Sequence, residues 1–90
     1  MHEHLHQEFT IDTDDMVEVT SDTQANVMLL SDADYSNYKA GRSYRYHGGF
    51  FTHFPARLSP THFGRWHVVL DLGGGSATVR HSIRLIKMGG

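Results

Sequence analysis

Ninety residues make one small domain, and at this length folding hides about 60–65% of the surface that the unfolded chain exposes. The chain has no cysteine, which excludes disulfides and thiolate metal sites, and no apolar run long enough to cross a bilayer as a helix. The formal net charge of −2 hides a polarity: nine of the ten carboxylates lie between Glu3 and Asp34, and all eight Lys and Arg residues lie at Lys39 or later.

The plain reading of that polarity is acidic early strands beside basic late ones; the sharper one gathers Arg42, Arg45, Arg57, Arg65, Arg80 and Arg84 into an anion-binding patch. The absence of a Lys/Arg-rich run weighs against nucleic acid as a partner. Residues 1–4 carry neither the basic nor the apolar part of a secretory signal, so a soluble, cytoplasmic protein is expected. Eight histidines would carry the net charge from −2 to +6 if all were protonated.

Residues 5–9 read as a first strand, with His2, His4 and His6 on one face and Leu5 and Gln7 on the other. Residues 11–15 are acidic and turn-like. Residues 16–20 alternate cleanly, Val17 and Val19 inward and Glu18 outward. After a polar turn at 21–24, residues 25–30 form a strand that is apolar on both faces from Val27, and so central or covered. Residues 31–41 change character: Ser31 or Asp32 caps a helix of one or two turns over 32–40, Asp34 sits in its first turn, Tyr35 and Tyr38 share a face, and Gly41 occupies C′.

Residues 43–53 read as a hairpin, Gly48-Gly49 supplying its two-residue turn. Pro55 restricts the segment after it to an edge or a strand start, and Arg57-Leu58 is short. A turn at 59–64 leads into the most regular stretch of the chain, residues 65–72. There Trp66, Val68, Leu70 and Leu72 face one way and Arg65, His67, Val69 and Asp71 the other, the pattern of a half-buried strand. Gly73 to Gly75 make a tight turn. The last strand, 77–86, turns Ala77, Val79, His81, Ile83 and Leu85 inward, and His81 reads as a core histidine. The ends, 1–4 and 87–90, read as tails. About seven short strands with one helix predict an all-β fold, an antiparallel β-sandwich (jelly-roll-like) or a partly open barrel, as a single domain over 1–90.

Four blocks then stand out together. They are Ala25-Asn26-Val27-Met28-Leu29-Leu30; Tyr35-Ser36-Asn37-Tyr38-Lys39-Ala40-Gly41-Arg42; Tyr46-His47-Gly48-Gly49; and Gly64-Arg65-Trp66-His67-Val68-Val69-Leu70-Asp71-Leu72-Gly73-Gly74. In order and spacing they resemble a bacterial family described as a domain of unknown function, DUF1883. The resemblance covers most of the chain. It implies a small β-rich domain, sometimes beside a TIR-type signalling domain, and carries over no functional residues.

The aromatic-rich middle gives the leading site. Tyr35, Tyr38, Tyr44 and Tyr46 with Lys39, Arg42, Arg45 and His47 combine ring faces with cations. Rings of this kind stack on a flat ligand group while guanidinium pairs with carboxylate or phosphate. The alternative site is His2, His4 and His6, whose imidazoles at strand spacing could present nitrogens to a divalent transition metal. His67 and Asp71 lie roughly 13 Å apart along their strand and could share an ion only with help from His47, His53 or His62. Gly73-Gly74-Gly75 lacks the helix that a phosphate-cradling loop needs. No nucleophile elbow is present, so no catalytic residue is assigned and no enzyme is expected. The expectation is a non-enzymatic interaction or ligand-binding module, a sensor or adaptor without a cofactor, whose partner is a protein or a small anionic or polar ligand. A histidine metal-binding protein and a homo-oligomer built through the edge strands are the alternatives.

Overall fold

The computed structural model describes residues 4–72 and 80–87. Seven strands and one helix follow each other as β1 (His4–Ile11), β2 (Met16–Ser21), β3 (Ala25–Ser31), α1 (Asp32–Lys39), β4 (His47–Phe51), β5 (Ala56–Leu58), β6 (Gly64–Asp71) and β7 (His81–Ile86). Every pairing is antiparallel. Two sheets result, ordered β1-β6-β3-β4 and β5-β2-β7. They form an all-β sandwich and do not close into a barrel. His2 and residues 73–79, with the expected glycine turn, Ala77 and Val79, lie outside the described residues.

Alternation places the core. Ile11, Ala25, Val27, Leu29, Trp66, Val68 and Leu70 of the larger sheet meet Val17, Val19, Ala56 and Leu58 of the smaller, and Ile83 and Leu85 pack against them. Such a dry interface between two inner faces supplies most of the driving force for folding. On the outside of the smaller sheet, Glu18 is flanked in register by Arg57 on β5 and Arg84 on β7. Its carboxylate accepts from Arg84 Nε at 2.9 Å and Nη2 at 2.7 Å and from Arg57 Nε at 3.1 Å. The Arg84 guanidinium, then Arg57, holds this carboxyl below the usual carboxylate range. Glu18 faces outward as the alternation predicts, yet it is buried, because both arginines lie across it. Arg65 likewise reaches Glu8 and Asp32. Acidic early strands thus sit beside basic late ones, and three of the six arginines are paired with carboxylates rather than gathered into a patch.

The helix is built as its sequence suggests. Ser31 Oγ accepts from the Asp34 amide at 3.2 Å as N-cap. At the other end Arg42 N donates to Asn37 O and Gly41 N to Tyr38 O, with Gly41 at φ 74°. That pattern is a Schellman motif with glycine at C′.

Three expectations are corrected. Gly48 and Gly49 are not a hairpin turn; they lie within β4, pairing with Met28 and Val27 of β3. Two glycines have the signature of a turn, but here they let an edge strand follow a strongly twisted path against β3: a Cβ on Gly48, at φ 123°, would lie 2.0 Å from the Val27 carbonyl oxygen. His81 is exposed rather than a core residue, because it opens β7 opposite Ser21, where β2 ends. From Trp66 onward the β6 strand is buried on both faces instead of half-buried.

Gly48→Ala is therefore expected to cost about 3 kcal/mol, since both the left-handed backbone and the collision with a fixed carbonyl oppose it. Gly41→Ala, where an added Cβ meets nothing, should cost only the backbone term, about 1–2 kcal/mol. Urea denaturation of the two variants ranks them, and equal losses would contradict the close approach.

Candidate functional site

The outer face of the larger sheet is where polar chemistry collects. From β6 it carries His67, Val69 and Asp71; register places His4 of β1 opposite Asp71, His6 opposite Val69 and Glu8 opposite His67. On β3, Met28 and Leu30 join Val69 in a second, small apolar floor. Helix α1 covers it, lowering Tyr35 and Tyr38 onto the floor, with Tyr44 following. His67 and Asp71 end up 7% and 6% exposed. Polar groups at such burial need partners, and the helix and β1 supply them.

A chain of hydrogen bonds runs across the three elements. Asp32 Oδ1 lies 2.5 Å from His67 Nε2, and His67 Nδ1 lies 2.7 Å from His6 Nε2. The Tyr35 ring stacks on both imidazoles, at centroid distances of 4.2 Å to His6 and 4.5 Å to His67. Lys39 Nζ sits 4.7 Å from the Tyr35 centroid as a cation–π contact. His4 Nε2 shares a 3.0 Å hydrogen bond with the Tyr35 hydroxyl, and the Tyr38 hydroxyl donates to Asp71.

Titration follows these contacts. Partial desolvation of its ring, then His67 and His4 beside it, pushes His6 below the ordinary histidine value. The hydrogen bond from His67 holds the Asp32 carboxyl low. Burial raises the Tyr35 and Tyr44 phenols, and burial followed by the Asp71 carboxylate raises Tyr38. Tyr38 and Tyr35 therefore stay protonated at any physiological pH.

On the other side of the helix start lies a cleft of about 320 Å³. Leu29 and Trp66 form its apolar wall, Ser31 and Asp34 come from the helix start, Arg45, Tyr46 and His47 from the approach to β4, and Thr61 and His62 from the turn before β6. Trp66 is held by its indole N–H, which donates to the His62 carbonyl at 3.1 Å. The His62 and His47 rings lie 4.8 and 5.7 Å from it. Asp34 accepts from the Arg45 backbone N–H at 3.0 Å and from Ser31 Oγ at 3.0 Å. Among the described residues no carboxylate pairs with the Arg45 guanidinium.

The two sites read from sequence are thus redistributed. Tyr35, Tyr38, Lys39 and Tyr44 share the helix-covered face with His4 and His6, so the histidine strand and the tyrosine helix form one cluster. Arg45, Tyr46 and His47 line the cleft. Arg42 belongs to neither: it is exposed, with its backbone N–H closing the helix. The neighbours of His67 and Asp71 come from β1 and α1, not from His47, His53 or His62. His4 and His6 direct Nε2 to different partners, and among the described residues no three His, Asp or Glu groups converge as a metal ion requires. Asp32 as a histidine partner, and His62 and Trp66 as cleft walls, were missed. Their juxtaposition depends on chain crossings that no local pattern encodes.

A family model described as Domain of unknown function (DUF1883) matches residues 2–88. No curated protein matches, and no solved structure matches.

The depressed His6 value fixes a sign. As pH falls, the unfolded chain takes up this proton first, near about pH 6.5, and the folded chain only at lower pH. Between the two the unfolded state holds more protons, so stability falls with pH. Urea melts at about pH 7.5 and 5.5 should show a smaller acid loss for His6→Gln than for the unaltered protein. An equal loss would show that His6 is not held neutral.

Proposed function

The chain belongs to the DUF1883 family, and from the Trp66 cleft we propose that it is a non-enzymatic ligand-binding module for a small anionic molecule bearing a flat group. The observation that carries this reading is the convergence of Arg45, Tyr46, His47, His62 and Trp66 on one cleft of about 320 Å³. Guanidinium is suited to carboxylate or phosphate because its planar N–H groups match two oxygens at once. Tyr46, 46% exposed, offers a face for stacking, Trp66 closes the apolar wall beside it, and the imidazoles offer further donors. Asp34 also lines the cleft, with its oxygens held by Ser31 Oγ and the Arg45 backbone N–H rather than by the Arg45 guanidinium. A ligand held there would press on the helix start and on β4 together, which suits a sensor or adaptor.

Trp66 is the sole tryptophan, so its emission reports occupancy directly. Titration with adenosine monophosphate, benzoate and inorganic phosphate should change Trp66 fluorescence for the ring-bearing anions and raise the melting temperature. Arg45→Ala should weaken binding about 10–100-fold, the worth of a charge-assisted hydrogen bond, while Arg42→Ala leaves it unchanged. Unaltered emission across the panel, or binding indifferent to Arg45→Ala, would overturn the reading.

A further inference from the structure

We propose that His6 is a nucleophilic imidazole, primed by the Asp32–His67 pair to accept a phosphoryl group on Nδ1. Proton placement along the Asp32–His67–His6 chain, apart from the cleft, makes this case. An ionised carboxylate only accepts hydrogen bonds, so Asp32 fixes the proton of His67 on Nε2. In a neutral His67, Nδ1 then accepts, and at 2.7 Å its donor is the N–H of His6 Nε2. A neutral His6 carrying its proton on Nε2 has its lone pair on Nδ1. His6 is exposed, and among the described residues nothing hydrogen-bonds that nitrogen. His6 is thus tautomerically locked, polarised through two successive hydrogen bonds, and open to solvent.

The surroundings favour an anionic electrophile. Lys39 Nζ lies over the Tyr35 ring and acts electrostatically on His6. Glu8, the nearby carboxylate on β1, is engaged by Arg65 at 3.3 Å. Tyr35, stacked on both rings, holds the two imidazoles near coplanarity. With phosphoramidate as donor the step balances. His6 Nδ1 attacks phosphorus; the P–N bond breaks and its electron pair leaves with ammonia, which already carries its three hydrogens in the zwitterionic donor. The Nε2 proton of the phosphorylated ring passes to His67 Nδ1, and the resulting imidazolium is held by Asp32. Asp32 and His67 are positioning residues that make room for that proton.

The test is treatment of the whole protein with phosphoramidate, mass mapping of the labelled peptides, and ³¹P NMR to tell Nδ1- from Nε2-phosphohistidine. The comparator is His53, which is exposed and whose Nδ1 is hydrogen-bonded to Thr52. His6 should be labelled first, on Nδ1, on the order of tenfold faster than His53, the usual worth of an outer partner to an imidazole. Asp32→Asn should bring it down to the His53 rate. Labelling at Nε2, or no faster than at His53, would overturn the proposal. The tautomers can also be read without any variant by ¹⁵N NMR of the native protein: Nε2–H on both His6 and His67 is required, and Nδ1–H on His6 would refute the priming.

Discussion

Strand β6 is buried on both faces while its outer face carries His67 and Asp71. That constraint organises much of the molecule. An apolar central strand could be roofed by any greasy helix, but an imidazole and a carboxylate under a roof must find partners or cost several kilocalories. Helix α1 meets the demand with side chains three residues apart: Asp32 on His67, Tyr35 over the imidazoles, Tyr38 on Asp71. The helix gains as much as it gives. Eight residues are too few for a stable isolated helix, and this one persists because its N-cap, its Schellman end and its tyrosine face are all engaged at once.

The same helix start connects the two chemical regions. Ser31, Asp32 and Asp34 are almost consecutive, yet they look in different directions. Asp32 holds the imidazole chain on the sheet face; Asp34, braced by Ser31, holds the backbone of Arg45 at the mouth of the cleft. Trp66 and His67, adjacent on β6, divide likewise, the indole into the core and cleft wall and the imidazole into the histidine cluster. A strand's alternation and a helix's first turn thus place the Trp66 cleft and the histidine cluster back to back, a few residues apart in sequence.

Much of this fold was legible in local pattern. The alternation of Val17 and Val19 and of Trp66, Val68 and Leu70 marks inner faces correctly, and the Ser31 cap and Gly41 bracket the helix that forms. What was not legible depends on partners distant in sequence. His6 and His67 are 61 positions apart, so the first strand's histidines gave no hint that they border the strand of Trp66, and they read instead as a separate metal-binding face. Gly48-Gly49 is ambiguous for a different reason: glycine permits positive φ in a turn and in a twisted strand alike. Glu18 shows a third kind of ambiguity, since outward alternation says nothing about whether neighbouring arginines will cover the carboxylate. Arg45, Tyr46 and His47 read as candidate binding residues from their chemistry, while His62 and Trp66, which complete the cleft they line, come from the approach to β6 and its start, distant in sequence but in the same sheet as β4.

The account rests on α1 being an integral cover for β6 rather than a loosely attached turn. Native-state hydrogen exchange tests this most directly. If the buried histidine and carboxylate hold the helix, the amides of its last turn and those of β6 should exchange through one common opening, with the same free energy and the same denaturant dependence. Helix amides that exchange through a separate, much cheaper opening, while β6 stays protected, would mean that the outer face does not need its roof, and would contradict the account.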